Sequence, residues 1–169
     1  MDWGVMGQVD CGGLVCVDIF SYLVATTHNK IGILMIHYTS EIENITPEML
    51  LGFFEGWPNP PSPETHLRIL RKSYKAVVAL DDTTGQVVGF INAISDDVLA
   101  AYIPLLEVLP EYRCQGIGKE LIRQMLESLS GFYMIDLICL ESVQPFYEKL
   151  GMFRGHGMII RNFEKQPGR

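Results

Sequence analysis

The chain has 169 residues, 48% hydrophobic and 20% charged, with a formal net charge of -7 at pH 7. That is enough for one domain with a proper core, and the composition excludes disorder, while the acid excess excludes a general nucleic-acid binder. The four cysteines form no C-x-x-C pair and no histidine falls at ligand spacing beside them, so no metal site is expected and reduced thiols in a cytoplasmic protein are.

Residues 1–31 read as an N-terminal extension. Leu14 to Ala25 is mostly apolar, but Asp18 interrupts it, Asp2 and Asp10 stand where a signal peptide is basic, and it is too short to span a bilayer. No membrane or targeting role is expected; the stretch is an added strand or helix, or sequence upstream of a start at Met35. A domain over residues 32–165 follows, with 166–169 as a tail.

Gly32 to Thr39 reads as the first core strand. Thr46, Pro47 and Glu48 open an expected helix with Met49, Leu50, Phe53 and Phe54 on its apolar face and Gly56 at its end. The prolines of Trp57 to Pro63 enforce a stiff loop, either a pocket wall or a rigid connector, and Ser62 with Pro63 starts a second helix running to about Ser73. Lys75 to Leu80 and Gln86 to Ser95 form an antiparallel hairpin around Asp81–Gly85. Asp96 and Asp97 turn the chain into a third strand, Leu99 to Leu109, in which Pro104 requires an edge or a bulge.

The sequence V-L-P-E-Y-R-C-Q-G-I-G-K then ends that strand and opens a helix whose apolar face is Leu121, Ile122, Met125, Leu126 and Leu129. Gly116 and Gly118 permit close backbone approach, and the helix points its unpaired N–H groups into the turn between Arg113 and Lys119. Such a turn suits a phosphate or pyrophosphate, although many α/β domains use one as a plain connection. Phe132 to Leu140 reads as a buried strand, Ser142 and Pro145 open a short helix ended by Gly151, and residues 157–162 read as a last strand.

This order, with the glycine turn followed by P-F-Y-E-K-L-G-M at 145–152, resembles the GNAT-type N-acetyltransferase superfamily over roughly residues 33–163. The resemblance implies an α/β (α+β) fold: one mixed, centrally antiparallel sheet, splayed open at an acyl-CoA site, with helices on both faces. It implies acetyl-CoA as co-substrate, its pyrophosphate on the backbone of Arg113, Cys114, Gln115, Gly116, Ile117, Gly118 and Lys119, and its pantetheine arm along Leu106 and Val108. The Val108 N–H would polarise the thioester carbonyl. Tyr147 would protonate the leaving thiolate; its plainer role is a core aromatic. Family members often place an asparagine early in the short helix, where this chain has Glu141, Ser142 and Gln144, so Ser142 stands as the substitute contact.

Glu107 is the candidate general base, or else a structural acid, and it should face away from Leu106 and Val108. Tyr38, Trp57 and Tyr102 are weaker candidates for the acceptor pocket. The expected activity is acetyl transfer to a primary amine of a small molecule or protein, with a non-catalytic acyl-CoA sensor as the rival reading. The C-terminal strand and the N-terminal extension are each placed to serve a homodimer.

Overall fold

The computed structural model describes residues 35–168, so the N-terminal extension and residues 32–34 of the opening strand lie outside the described part. Within it, five strands lie side by side in chain order: β1 (Ile36–Thr39), β2 (Lys75–Asp81), β3 (Gln86–Ser95), β4 (Ala100–Val108) and β5 (Met134–Asp136). The first four pair antiparallel, and β5 joins β4 in parallel.

Short polar turns set this order. Gly85 donates to the Asp81 carbonyl at 2.7 Å with φ +72, which closes the expected hairpin. The Asp96 carboxylate accepts from the N–H groups of Val98, Leu99 and Ala100 at 3.0, 2.9 and 3.0 Å. Asp96 therefore anchors a turn.

The Pro104 expectation holds as a bulge. Asn92 lies opposite Leu105 and Ile94 opposite Tyr102, so Ala93 alone faces both Ile103 and Pro104. The extra residue inverts the alternation of β4. Ala101 and Ile103 before the bulge, and Leu106 and Val108 after it, all belong to the same core.

Two cores sandwich the sheet. On one face, α2 (Ile117–Ser128) buries Ile117, Leu121, Ile122 and Met125 against Val77, Ala79, Val88 and Ile91. On the other, α1 (Pro63–Lys72) packs Leu67 and Leu70 with Ile42, Ile45, Leu50, Phe53 and Phe54 against Val78, Val87 and Phe90. Burying each such side chain contributes about 1.5–3 kcal/mol before chain entropy is charged. As expected, the Ser62 hydroxyl caps α1 by accepting from the Thr65 N–H, with Pro63 at the first helical position.

Three expectations are corrected. The helix from Thr46 to Gly56 is only a 3-10 turn, Pro47–Leu50, and Thr46 makes no side-chain cap. Beyond it Gly52, Phe54 and Gly56 adopt φ of +89, +63 and +80, a left-handed path that turns two consecutive rings, Phe53 and Phe54, into one core. The strand over 132–140 is paired only across Met134–Asp136; Phe132, Leu137 and Cys139 pack on the core without a ladder, while Tyr133, Ile138 and Leu140 are exposed, so the stretch is not the buried strand expected. The last strand, 157–162, does not form: these residues carry no regular structure and Met158 and Ile160 are almost fully exposed. Pairing at the β5 edge stops at Asp136, so beyond Tyr102 β4 itself lies at the open edge of the sheet.

Candidate functional site

Parallel pairing between β4 and β5 covers only Ala100 to Tyr102, after which the strands part. In the antiparallel ladder with β3, Leu109 donates to the Val88 carbonyl at 2.9 Å. Residues 105, 107 and 109 are therefore the ones that exchange hydrogen bonds with β3, and alternation turns the main-chain groups of Leu106 and Val108 toward the open side of β4. An extended chain can pair there like an added strand.

At the end of that edge lies the glycine turn. Gly116 caps α2 with φ +84, no side chain caps the helix there, and the Glu120 N–H is the one that returns to the Gly116 carbonyl at 3.0 Å. Cys114 also adopts a left-handed φ, +60, a strained value for a residue with a Cβ and one that composition did not reveal. Cys114, Gln115, Gly116 and Lys119 are exposed, while Ile117 and Gly118 are buried. Arg113 is largely buried; its Nε donates to the Val108 carbonyl at 3.0 Å and an Nη lies 3.9 Å from the Glu55 carboxylate.

Gly89 is the residue that sequence reasoning missed. A Cβ there would lie 3.1 Å from Leu121, 3.2 Å from Ile117 and 3.3 Å from Val108, so its hydrogen lets the first turn of α2 seat against the sheet. A glycine inside an apolar strand was the available signal.

Tyr147, on α3 (Gln144–Glu148), is buried in the α2-side core, with Phe146 edge-on at 5.0 Å. Burial, with Cys139 beside it, pushes its phenol pKa well above 10, so it stays protonated through neutral pH. Glu107 lies on the opposite face of β4, only 9% exposed, and both its oxygens accept from the Phe54 N–H, at 2.9 and 3.1 Å. Burial raises its pKa, while that N–H and the nearby Arg113 charge pull the other way. The two candidate catalytic groups thus flank β4 from opposite faces.

Trp57 lines an open cavity of about 610 Å³ on the Glu107 side, together with Leu51, Phe54, Glu55, Leu109 and Glu111 among others. Tyr102 is half-buried and, because the bulge inverts the alternation of β4, shares the Glu107 face, but it does not line this cavity. Tyr38 lies on β1 near Glu120 of α2, away from the cavity, and Ser142 is exposed in the 3-10 turn before α3. Among the described residues no cluster of three metal-ligating side chains occurs, and no helix is long and apolar enough to cross a membrane.

A strand with one open edge, a glycine turn at its end, and a buried phenol and carboxylate on its two faces make up the candidate site. Comparison with known proteins gives the family. The family model described as "Acetyltransferase (GNAT) family" matches residues 42–152. A solved structure from Deinococcus radiodurans R1, provisionally described as an acetyltransferase, is 49% identical, covers 78% of this chain and 92% of that one, and superposes with a TM-score of 0.76. The GNAT family acetyltransferase SP0256 of Streptococcus pneumoniae TIGR4 is 29% identical over 76% of this chain and 98% of that one, with a TM-score of 0.62.

GCN5-related N-acetyltransferase 3, chloroplastic, of Arabidopsis thaliana is 36% identical over 80 residues, 46% of this chain and 34% of that protein. The uncharacterized N-acetyltransferase ycf52 of Pyropia yezoensis is 29% identical over 104 residues, 59% of each. This chain therefore spans only 34% and 59% of the lengths of those two relatives. The chain belongs to the GNAT acetyltransferase family, whose members typically use acetyl-CoA.

Proposed function

We propose that this chain transfers an acetyl group from acetyl-CoA directly to a primary amine of a small molecule or protein. The observation that carries the reading is the open edge of β4 leading from the glycine turn toward a protonated phenol on one face and a buried carboxylate on the other.

The backbone of residues 113–119 and the charge of Lys119 hold the pyrophosphate, and Leu106 and Val108 pair with the pantetheine arm. Ser142 is retained as a contact at the mouth of the short helix. A neutral amine attacks the thioester carbonyl, forming C–N as C–S breaks. Its proton passes to Glu107, directly or through water, and Tyr147 gives its proton to the departing thiolate. The Val108 N–H polarises the carbonyl oxygen.

The cytoplasm and a homodimer complete the proposal. The exposed side chains of Phe153, Met158 and Ile160 support self-association, and sedimentation equilibrium tests it. Cell fractionation tests the compartment.

The decisive experiment measures thiol release from acetyl-CoA with an amine panel. Turnover is expected, and Tyr147→Phe should lower kcat about 100-fold while leaving the acetyl-CoA KM nearly unchanged. Tight CoA binding by calorimetry with no turnover on any amine would favour the sensor reading instead.

A further inference from the structure

The proposed transfer leaves the amine unnamed, and the cavity on the Glu107 face bears on it. Its wall comes from the turn at 51–57, Pro60, Gln86 at the start of β3, and Leu109, Pro110 and Glu111 just past β4. Most of these groups are apolar. Trp57 is half-buried, with its ring edge-on to Phe54 at 5.2 Å. Phe54 is itself locked into the core by contacts with His66 and Phe90, at 4.9 and 6.0 Å between ring centroids. Trp57 is thus a flat surface on a rigid support, which loses little entropy when a ligand packs on it.

The charged groups of the cavity have one sign. Glu55 and Glu111 are both exposed at its lining, and Arg113, the cation nearest Glu55, also spends its Nε on the Val108 carbonyl. Behind the wall, Glu107 holds the Phe54 N–H, so the loop that forms the cavity is pinned to the candidate base. The left-handed φ of +63 at Phe54 marks a backbone kept in place by its surroundings.

We propose that this cavity is the acceptor site and that it selects a cationic primary amine carried on a flat apolar body, with Trp57 packing on the body and Glu55 and Glu111 drawing the ammonium group. This rests on the transferase reading above and deepens it. A polyhydroxylated amine such as an amino sugar gains little from the apolar wall, and the Gln86 amide already donates to the Leu51 carbonyl at 3.3 Å. A bare polyamine gains the charge attraction but forfeits the contact with the indole.

The test uses the full chain with phenethylamine, spermidine and glucosamine as probes, in acetyl-CoA turnover and in calorimetry with CoA present. Phenethylamine is expected to show a kcat/KM at least about tenfold above the other two, matching the usual worth of an apolar contact. Trp57→Ala should raise its KM about tenfold with the acetyl-CoA KM unchanged. Glu55→Gln, on an exposed side chain whose one ion pair is with Arg113 at 3.9 Å, should raise the KM for phenethylamine more than that for acetyl-CoA, with the melting temperature little changed. Equal or better use of glucosamine, or a phenethylamine KM untouched by both substitutions, would overturn the assignment. If CoA binds but nothing is acetylated, the transferase reading fails separately. The calorimetric affinity for phenethylamine, lost in Trp57→Ala or not, then still decides what the cavity binds.

Discussion

Among the described residues, both ring nitrogens of His66 are buried without a hydrogen-bond partner, in a cage of Phe53, Phe54 and Phe90. Desolvation lowers its pKa to about 3, so the folded protein keeps it neutral while the unfolded chain protonates it below 6.5. The unfolded state binds more protons across that window, so stability falls as pH drops from 6.5 to 3, by up to about 1.4 kcal/mol per pH unit. His66→Phe keeps a ring in the cage and removes the two unpaired nitrogens. Its melting temperature at pH 7 should be unchanged or higher, and its acid slope flatter; an unchanged slope in thermal melts at pH 4 to 7 would assign the acid sensitivity elsewhere. Glu107 has the reverse sign. Burial raises its carboxyl above 4.5, so ionising it weakens the fold as pH rises, whereas its proposed work as a base needs the ionised form. The pH profile of kcat/KM should therefore carry an acid limb above the ordinary carboxylate range. Glu107→Gln, which still accepts from the Phe54 N–H, should erase that limb, lower kcat about 100-fold and leave stability at pH 7 equal or greater.

At the scale of elements, the legible parts were those governed by neighbours in sequence. Ser62 and Pro63 start α1, Gly85 closes the hairpin, Pro104 makes a bulge and the apolar spacing of α2 faces the sheet, each from interactions a few residues long. The parts that were not legible depend on distant partners. Phe53 and Phe54 leave the helical path because Phe90 and His66 supply a core that neither neighbour announces. The Glu107 contact with Phe54 spans 53 residues and has no local signature. In the candidate site, the glycine turn and the facing of Glu107 away from Leu106 were legible, whereas the strained Cys114 and the space at Gly89 were not. Gly89 gives the element-scale prediction. Gly89→Val places methyl groups where Leu121, Ile117 and Val108 already stand, lifts the start of α2 and misaligns the turn that it caps. Overpacking of this kind costs about 1–3 kcal/mol. The variant should melt earlier and show a raised acetyl-CoA KM, with the amine KM little changed; steady-state kinetics with each co-substrate varied in turn separates the two.

Across the whole molecule, a cationic amine and an anionic cofactor, the co-substrates of the proposed reaction, meet one net negative charge. The chain carries a formal net charge of -7, which draws a cationic amine and repels an anionic cofactor. On the proposed assignment, Lys119 offers the anion local relief at the exposed turn, and the amine's route passes the face that holds Glu55 and Glu111. Screening acts on the long-range part: the Debye length shrinks from about 30 Å at 0.01 M salt to about 8 Å at 0.15 M. Raising ionic strength over that range should therefore lower kcat/KM for a cationic amine, by up to about tenfold where steering operates. The value for acetyl-CoA should fall less or rise, because screening also removes the repulsion. Varying one substrate at saturation of the other, over a salt series at fixed pH, resolves the two slopes. Parallel slopes would mean that approach to the site is insensitive to the global charge, and would leave Glu55 and Glu111 to act on the amine only after it has arrived.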